Sequence, residues 1–275
     1  MANLRPMYLG DIRHVIKIID QYDDDDSADA EKDYENNGFE DQFVFELNDK
    51  IIGVTGFRRV PATDNTAWLS WTYVDKNHSG QGYGKTMLDQ LLNKLTEQDA
   101  RKIFVKVSNY NDPEDGEIYQ YAHKLYQSLG FELELTNKDF YDEDEDQLIY
   151  GKVLRQVVDT DAEVLEEKPV IRFNGMYEIA ESDGAYTFSW TVEEKKPLFG
   201  KRSFSAEDLV IGLNAVKNDG GRKVFLTFPS NLPLIHKPLQ AAGFKYVGDL
   251  TDYYEAGVNE MHFSHTLDNI PASAN

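Results

Sequence analysis

The chain has 275 residues, 41% of them hydrophobic, no cysteine, and a formal net charge of −21. That length is a prior for about two domains with ample apolar material for packed cores, and the missing cysteines exclude a disulfide framework and thiolate metal ligation, which suits a reducing cytoplasm. The acidity argues against nucleic acid and anionic membrane as partners and permits a cationic one, no apolar run approaches membrane-spanning length, and the first residues lack a basic-then-apolar signal pattern.

In chain order, a first strand is expected near Asn3–Tyr8 and a helix from about Asp11 to Tyr22. The next segment, Tyr22–Asp41, is dense in aspartate and glutamate, which do not bury unpaired, so it must be exposed. It reads either as a solvated mobile loop or as a surface that attracts a cationic acceptor. Phe43–Phe57 reads as a hairpin turning at Asn48-Asp49. Ala67–Val74 reads as a strand that leads through a glycine-dense turn into an amphipathic helix over Gly84–Glu97. Met87, Leu88, Leu91, Leu92 and Leu95 form its apolar stripe at helical spacing. A strand at Lys102–Val107 follows, then a helix at Ile118–Leu129 with Gly130 as its C-cap. A last hairpin runs through Phe140 and Leu148–Leu154.

The turn Ser79–Lys85 is the most informative stretch. Gly80, Gly82 and Gly84 lie where the helix begins, so the backbone there can approach a ligand closely. The first N–H groups of a helix lack internal partners and sit at the positive end of its dipole, which makes a phosphate cradle. The bland alternative is a turn with no ligand. A nucleotide P-loop is excluded because the position of its first glycine is Ser79, and a dinucleotide fingerprint fails because the third residue after Gly82 is Lys85.

The stretch resembles motif A of the GNAT superfamily of acyl-CoA-dependent N-acyltransferases, Arg/Gln-x-x-Gly-x-Gly/Ala, which falls on Ser79-Gly80-Gln81-Gly82-Tyr83-Gly84. Both required glycines are present, and Ser79 replaces the Arg or Gln. The resemblance covers about the first 154 residues. "NLRPMYLGDI" is similar to the family's opening strand and helix entry, Phe43–Phe57 to its first hairpin, and "HKLYQSLGF" to its late helix with the pattern Tyr-x-x-x-Gly-Phe. The resemblance implies acetyl-CoA as co-substrate, with its pyrophosphate at Ser79, Gly80, Gln81, Gly82, Tyr83, Gly84 and Lys85. It implies that the pantetheine arm pairs with the backbone of Tyr73 and Val74. It also implies transfer of an acetyl group to a primary amine, small molecule or peptide, by direct attack, with Tyr126 as the general acid that protonates the leaving thiolate; the alternative is a core tyrosine. Where the family has an asparagine seven residues before that tyrosine, this chain has Tyr119, and Asn109 or Asn111 is a candidate to reach the pantetheine instead. No glutamate occurs in Ala67–Val74, where some members place a general base, and Glu46 and Asp75 are the nearest acidic residues.

The second half repeats the first. "RKIFVKV" at Arg101–Val107 recurs 121 positions on as "RKVFLTF" at Arg222–Phe228, and "LSWTYVDK" at Leu69–Lys76 recurs 119 positions on as "FSWTVEEK". His123, Lys124, Gly130, Phe131, Phe140 and Tyr141 recur 113 positions on as His236, Lys237, Gly243, Phe244, Tyr253 and Tyr254. Three matches in the same order point to a structural duplication. The copies differ in chemistry: Gly82 and Gly84 become Ser203 and Ser205, Tyr126 becomes Leu239, and Leu125 becomes Pro238, which would shorten that helix. The second copy is expected to start at a hairpin, "VIRFNGMYEIA", turning at Asn174-Gly175, with no counterpart of roughly the first forty residues.

The expected fold is α+β: two GNAT-like units, each a mixed, largely antiparallel sheet flanked by helices, the second truncated. Residues 1–154 form the acyl-CoA-binding catalytic domain, 155–168 a linker and 169–275 the degenerate repeat. The second copy would serve as a built-in dimer partner, so the chain would be a monomer. No metal is expected, because His262 and His265 face opposite sides of a strand and neither acidic run has the glycine and glutamate of a calcium loop. The competing function is a non-catalytic acyl-CoA-binding or regulatory protein that keeps the fold.

Overall fold

A computed structural model describes residues 2–111, 119–156, 170–193 and 205–267. Most of the expected linker, Ser203 and the tail from Asp268 lie outside the described residues. The chain divides into two compact units: Met1–Val105 with Gln120–Glu132 and Tyr150–Val157, and Lys106–Tyr119 with Leu133–Ile149 and Val158–Asn275.

The first unit opens with strand β1 (Asn3–Pro6) and helices α1 (Ile12–Ile19) and α2 (Asp24–Asn37). α1 buries Val15, Ile18 and Ile19. The acidic segment is a helix rather than a loop. Asp23 caps it by accepting from the Asp25 and Asp26 N–H groups at 2.8 and 3.0 Å, and the carboxylates of its first turn sit at the favourable end of the dipole. Ser27, Ala30 and Tyr34 form its buried face.

Strands β2 (Gln42–Leu47) and β3 (Lys50–Arg59) form the expected hairpin. Its two-residue turn holds Asn48 and Asp49 at φ of 50° and 61°, the left-handed pair that matches strand twist. The next strand is broken into β4 (Thr66–Leu69) and β5 (Tyr73–Val74). At the break, Thr72 Oγ1 donates to the Ser70 carbonyl at 2.7 Å, a local bond that competes with the ladder. Helix α3 (Tyr83–Glu97) buries its entire predicted stripe, and β6 (Lys102–Ser108) follows. Helix α4 (Gln120–Ser128) ends at Gly130, whose φ is +79°, before the hairpin of β7 (Glu132–Asp142) and β8 (Glu145–Val153). The sheet order is β1-β2-β3-β4-β6-β8-β7, with β5 paired to β3.

The later strands repeat this plan. β9 (Val170–Glu178), β10 (Ala185–Glu193), α5 (Ala206–Asn218), β11 (Lys223–Pro229), α6 (His236–Ala241), β12 (Lys245–Glu255) and β13 (Val258–Thr266) follow one another. Their sheet order, β9-β10-β11-β13-β12, is that of β3-β4-β6-β8-β7. The register is also the same. Thr66, Ala67 and Trp68 lie parallel to Lys102, Ile103 and Phe104, and Ala185, Tyr186 and Thr187 to Lys223, Val224 and Phe225. α6 has only six residues, with Pro238 in its first turn.

Asn174-Gly175 is not a turn. Both residues lie inside β9, where the register shifts against Ser189 and Trp190, and Gly175 has φ +149° rather than a left-handed turn value. The extra residue is taken up as a bulge. The connection to β10 comes later, and Ser182 Oγ bonds the Ile179 carbonyl there at 2.8 Å. β9 is therefore the counterpart of β3, and among the described residues the second sheet has no counterparts of β1, α1, α2 and β2.

Phe188, Leu209, Leu213, Phe228, Leu239 and Phe263 anchor the core of this sheet and its helices. Phe228 is fully buried, so Phe228→Ala should cost about 3–5 kcal/mol. Urea unfolding followed by fluorescence would measure it.

Within this second unit, residues 133–149 pack on the later sheet. Phe140 lies 5.1 Å from Phe225 and shares a cluster with Ala185. Lys223 bonds Asp139 at 2.7 Å, and the Arg222 guanidinium donates to the Asp139 and Phe140 carbonyls at 2.6 and 3.2 Å. Deleting Val170–Asn275 should therefore expose Phe140 and strip Asp139 of its cation. The remaining chain is expected to aggregate or self-pair in sedimentation. A monodisperse, fully active monomer of residues 1–154 would contradict this.

Candidate active site

The site begins at the broken strand. β4 pairs with β6 only through Thr66, Ala67 and Trp68, and β5 pairs with β3 instead. Tyr73 stands opposite Val54 and Val74 opposite Gly53, while the Asp75 N–H donates to the Ile52 carbonyl at 2.9 Å. Peptide groups alternate sides along an antiparallel strand. Those of Tyr73 therefore turn toward β3, and those of Val74 turn away from it. Of the two residues expected to meet a pantetheine arm, Val74 alone offers its backbone, and its carbonyl already accepts from the Tyr22 hydroxyl at 2.7 Å. For Tyr73 the expectation is corrected: its backbone is committed to the sheet.

Beyond β5, Asp75 starts a short 3-10 helix at Lys76–His78 by accepting from the Asn77 N–H at 2.8 Å. Ser79 ends it. Gly80 and Gly82 then adopt φ of +72° and +81°, and among the described residues no atom lies within 4 Å of where either Cβ would stand. Gly82 is the N-cap of α3, with no side-chain cap and no acidic residue in the first turn. The first intrahelical bond runs from Thr86 N–H to the Gly82 carbonyl at 3.1 Å. The N–H groups of Tyr83, Gly84 and Lys85 are thus at the open end of a fifteen-residue helix. Gln81 Nε2 donates to the Asn77 carbonyl at 3.3 Å, and Lys85 is exposed. The Tyr83 ring meets Phe45 edge-on at 6.3 Å, which fixes the helix start against β2.

α4 approaches this turn. Leu125 Cδ2 lies 3.5 Å from where a Gly84 Cβ would be, an ordinary contact distance that places α4 beside the start of α3. The next residue, Tyr126, is buried at 6% exposure and packs edge-on against Phe131 at 5.5 Å. Burial alone pushes its phenol well above the ordinary value. The hydroxyl therefore stays protonated, and among the described residues it has no hydrogen-bond partner. Asn109 lies in the other compact unit. Its amide oxygen accepts from the Asp146 N–H at 2.7 Å, so it ties down the β7–β8 hairpin.

The acidic helix covers the other face of β5. Asp33 accepts from the Trp71 indole at 2.9 Å, from Arg58 at 3.1 Å and from the Asn37 amide at 2.8 Å; burial acts to raise its pKa, and the Asn37, Trp71 and Arg58 hydrogen bonds together lower it. Asp26 accepts a short hydrogen bond from the Tyr73 hydroxyl. That pairing has no local signature in the chain, because it joins a helix and a strand 47 residues apart. Glu46 is held by Arg5 at 2.7 Å.

The corresponding place in the later sheet is closed. β10 and β11 also part after Thr187 and Phe225, but the Trp190 indole N–H donates to the Thr227 carbonyl at 3.0 Å and its ring stacks on Phe228 at 4.6 Å. Helix α5 is capped by Ser205, whose Oγ accepts from the Asp208 N–H at 3.2 Å, and it carries Glu207 and Asp208 in its first turn. A capped helix start with two carboxylates disfavours an anion, whereas the start of α3 carries neither a side-chain cap nor a first-turn carboxylate.

Residues 11–131 match the model of the acetyltransferase (GNAT) family. No curated protein matches the sequence. Among solved structures, a Desulfovibrio desulfuricans protein ascribed to the GNAT family is 19% identical, covering 56% of this chain and 100% of its own, with a TM-score of 0.49. The ribosomal-protein-S18-alanine N-acetyltransferase of Escherichia coli is 20% identical over 57% of this chain and 97% of its own, with a TM-score of 0.46. An N-acetyltransferase from Staphylococcus aureus is 22% identical over 56% and 99%, with a TM-score of 0.43. Residues 11–131 of this chain are a GNAT acetyltransferase domain.

Proposed function

We propose that the protein transfers an acetyl group from acetyl-CoA to a primary amine, at one site per chain in the first unit. The observation that carries this reading is the uncapped start of α3, where Gly80 and Gly82 hold left-handed conformations with open space in front of them. That space suits the CoA pyrophosphate. The exposed Lys85 adds a cation beside it, and the Val74 peptide groups, turned away from β3, suit the amide-rich pantetheine arm. In the transfer, the amine nitrogen attacks the thioester carbon, the carbon–sulfur bond breaks, and Tyr126 gives its proton to the leaving thiolate. The acidic face of α2 favours a cationic acceptor, small molecule or peptide.

We further propose that residues 169–275 are a degenerate GNAT-like copy. It keeps the strand order and register but has Trp190 in place of the opening and serine and carboxylates in place of the turn glycines. As an internal partner it would leave the whole chain monomeric. Among the described residues no helix is long and apolar enough to cross a membrane. Thiol release from acetyl-CoA against a panel of amines tests the transfer, and CoA titration by calorimetry tests the site. CoA binding without thiol release from any amine would favour the non-catalytic reading. Ser79 at the Arg/Gln position and Tyr119 at the asparagine position are the features that favour that second reading.

A further inference from the structure

An alkylamine is protonated at neutral pH and must lose a proton before it can attack a thioester. The two carboxylates nearest in sequence are engaged elsewhere, Glu46 by Arg5 at 2.7 Å and Asp75 by the Asn77 N–H at 2.8 Å. Side chains on β5 alternate faces. Val74 turns toward α3, with Cγ2 3.7 Å from where a Gly84 Cβ would stand. Tyr73 turns to the opposite layer, against the cluster that α1 and α2 supply, and its hydroxyl donates to Asp26 Oδ2. A phenol–carboxylate pair thus sits on the strand that flanks the proposed thioester slot. Tyr22 stands 5.5 Å from Tyr73 and bonds the Val74 carbonyl at 2.7 Å, which ties this pair to the slot's backbone.

Asp26 is half-buried, and among the described residues no cation pairs with it, in contrast to Asp33 on the same helix, which has Arg58. Burial raises its pKa most, the nearby Asp23, Asp29 and Asp25 add to this, and the Tyr73 hydrogen bond opposes it. A carboxylate raised in this way is a better proton acceptor than one on the open surface.

We propose that Tyr73 is the proton-accepting catalytic residue of acyl transfer and that Asp26 is the positioning residue behind it. The inference rests on the acyl-transfer reading above. The alkylammonium gives one proton to the Tyr73 oxygen as the Tyr73 proton passes to Asp26, and Asp26 later releases it to solvent. The neutral nitrogen then attacks the thioester carbon. Its second proton replaces the one that Tyr126 gives to the departing sulfur, so the products are the amide, the free thiol and one proton.

The test compares two kinds of nucleophile in the full-length protein. Butylamine, spermidine and a lysine-containing peptide are protonated at assay pH, whereas hydroxylamine is already neutral. Tyr73→Phe and Asp26→Asn should lower turnover of the protonated amines about 10²-fold or more, the scale of a general base. Turnover of hydroxylamine should stay within a few-fold, and CoA affinity by calorimetry should be unchanged. Asp26→Glu should recover part of the lost rate. An unaltered rate with the protonated amines would overturn the proposal, as would an equal loss with both nucleophiles, which marks a merely structural pair. Absence of thiol release from the wild-type protein with every nucleophile, hydroxylamine included, would instead remove the acyl-transfer reading and this inference with it.

Discussion

Gly82→Val should leave the protein folded and unable to bind CoA. At φ +81° a β-branched residue costs about 1–3 kcal/mol of backbone strain. Among the described residues no atom lies within 4 Å of a Cβ at this position, and Gly82 is exposed, so the core is not disturbed and the fold should survive that cost. The isopropyl group instead occupies the space in front of the first N–H groups of α3, where a pyrophosphate would lie. Calorimetric titration should give one CoA per chain for the wild type and none for the variant, with circular dichroism unchanged. Two equivalent sites per chain would contradict the closed reading of the later sheet, in which Trp190 fills the opening and Ser205 caps the helix. Unaltered CoA binding by the variant would remove the turn from the site.

Tyr126→Phe should lower turnover by roughly 10²- to 10⁴-fold, the range for a general acid. The ring keeps its edge contact with Phe131, so packing is preserved. The lost hydroxyl leaves no buried group newly unpaired, because among the described residues it has no hydrogen-bond partner, and thermal stability should hold or rise. CoA affinity should change little. Burial keeps the phenol protonated across the working pH range, which suits a proton donor. An unchanged rate would leave solvent as the source of the thiol proton.

These two experiments separate binding from chemistry. A chain that binds CoA at the α3 turn but is indifferent to Tyr126 is still an acyl-CoA protein. A chain that loses turnover in Tyr126→Phe while holding CoA tightly is an enzyme whose acid is the buried phenol.

Much of the fold was legible in the residues because local rules govern it. The stripe of Met87, Leu88, Leu91, Leu92 and Leu95 fixes α3 and its buried face. The Asn48-Asp49 pair fixes the first hairpin, and Gly130 ends α4, since each position needs a backbone angle that few residues adopt. The glycine turn was legible for the same reason. The matched strings around Arg101 and Arg222 lie on β6 and β11, which pair in parallel with β4 and β10 in the same register. What the sequence could not determine involved competition between distant groups. Asn174-Gly175 has a hairpin signature, but pairing with β10 across a bulge prevailed over the local turn preference. The acidic run became a helix because Asp23 caps it and Ala30 and Tyr34 find a core to bury in. Which strand the Tyr73 backbone serves depends on alternation in the β3–β5 ladder. That Asp26 meets Tyr73, and that Trp190 closes the second opening, depends on side chains brought together from separate elements. Backbone preference and apolar periodicity act over a few residues and are written in the chain, whereas partner choice among polar groups is settled only when the elements pack.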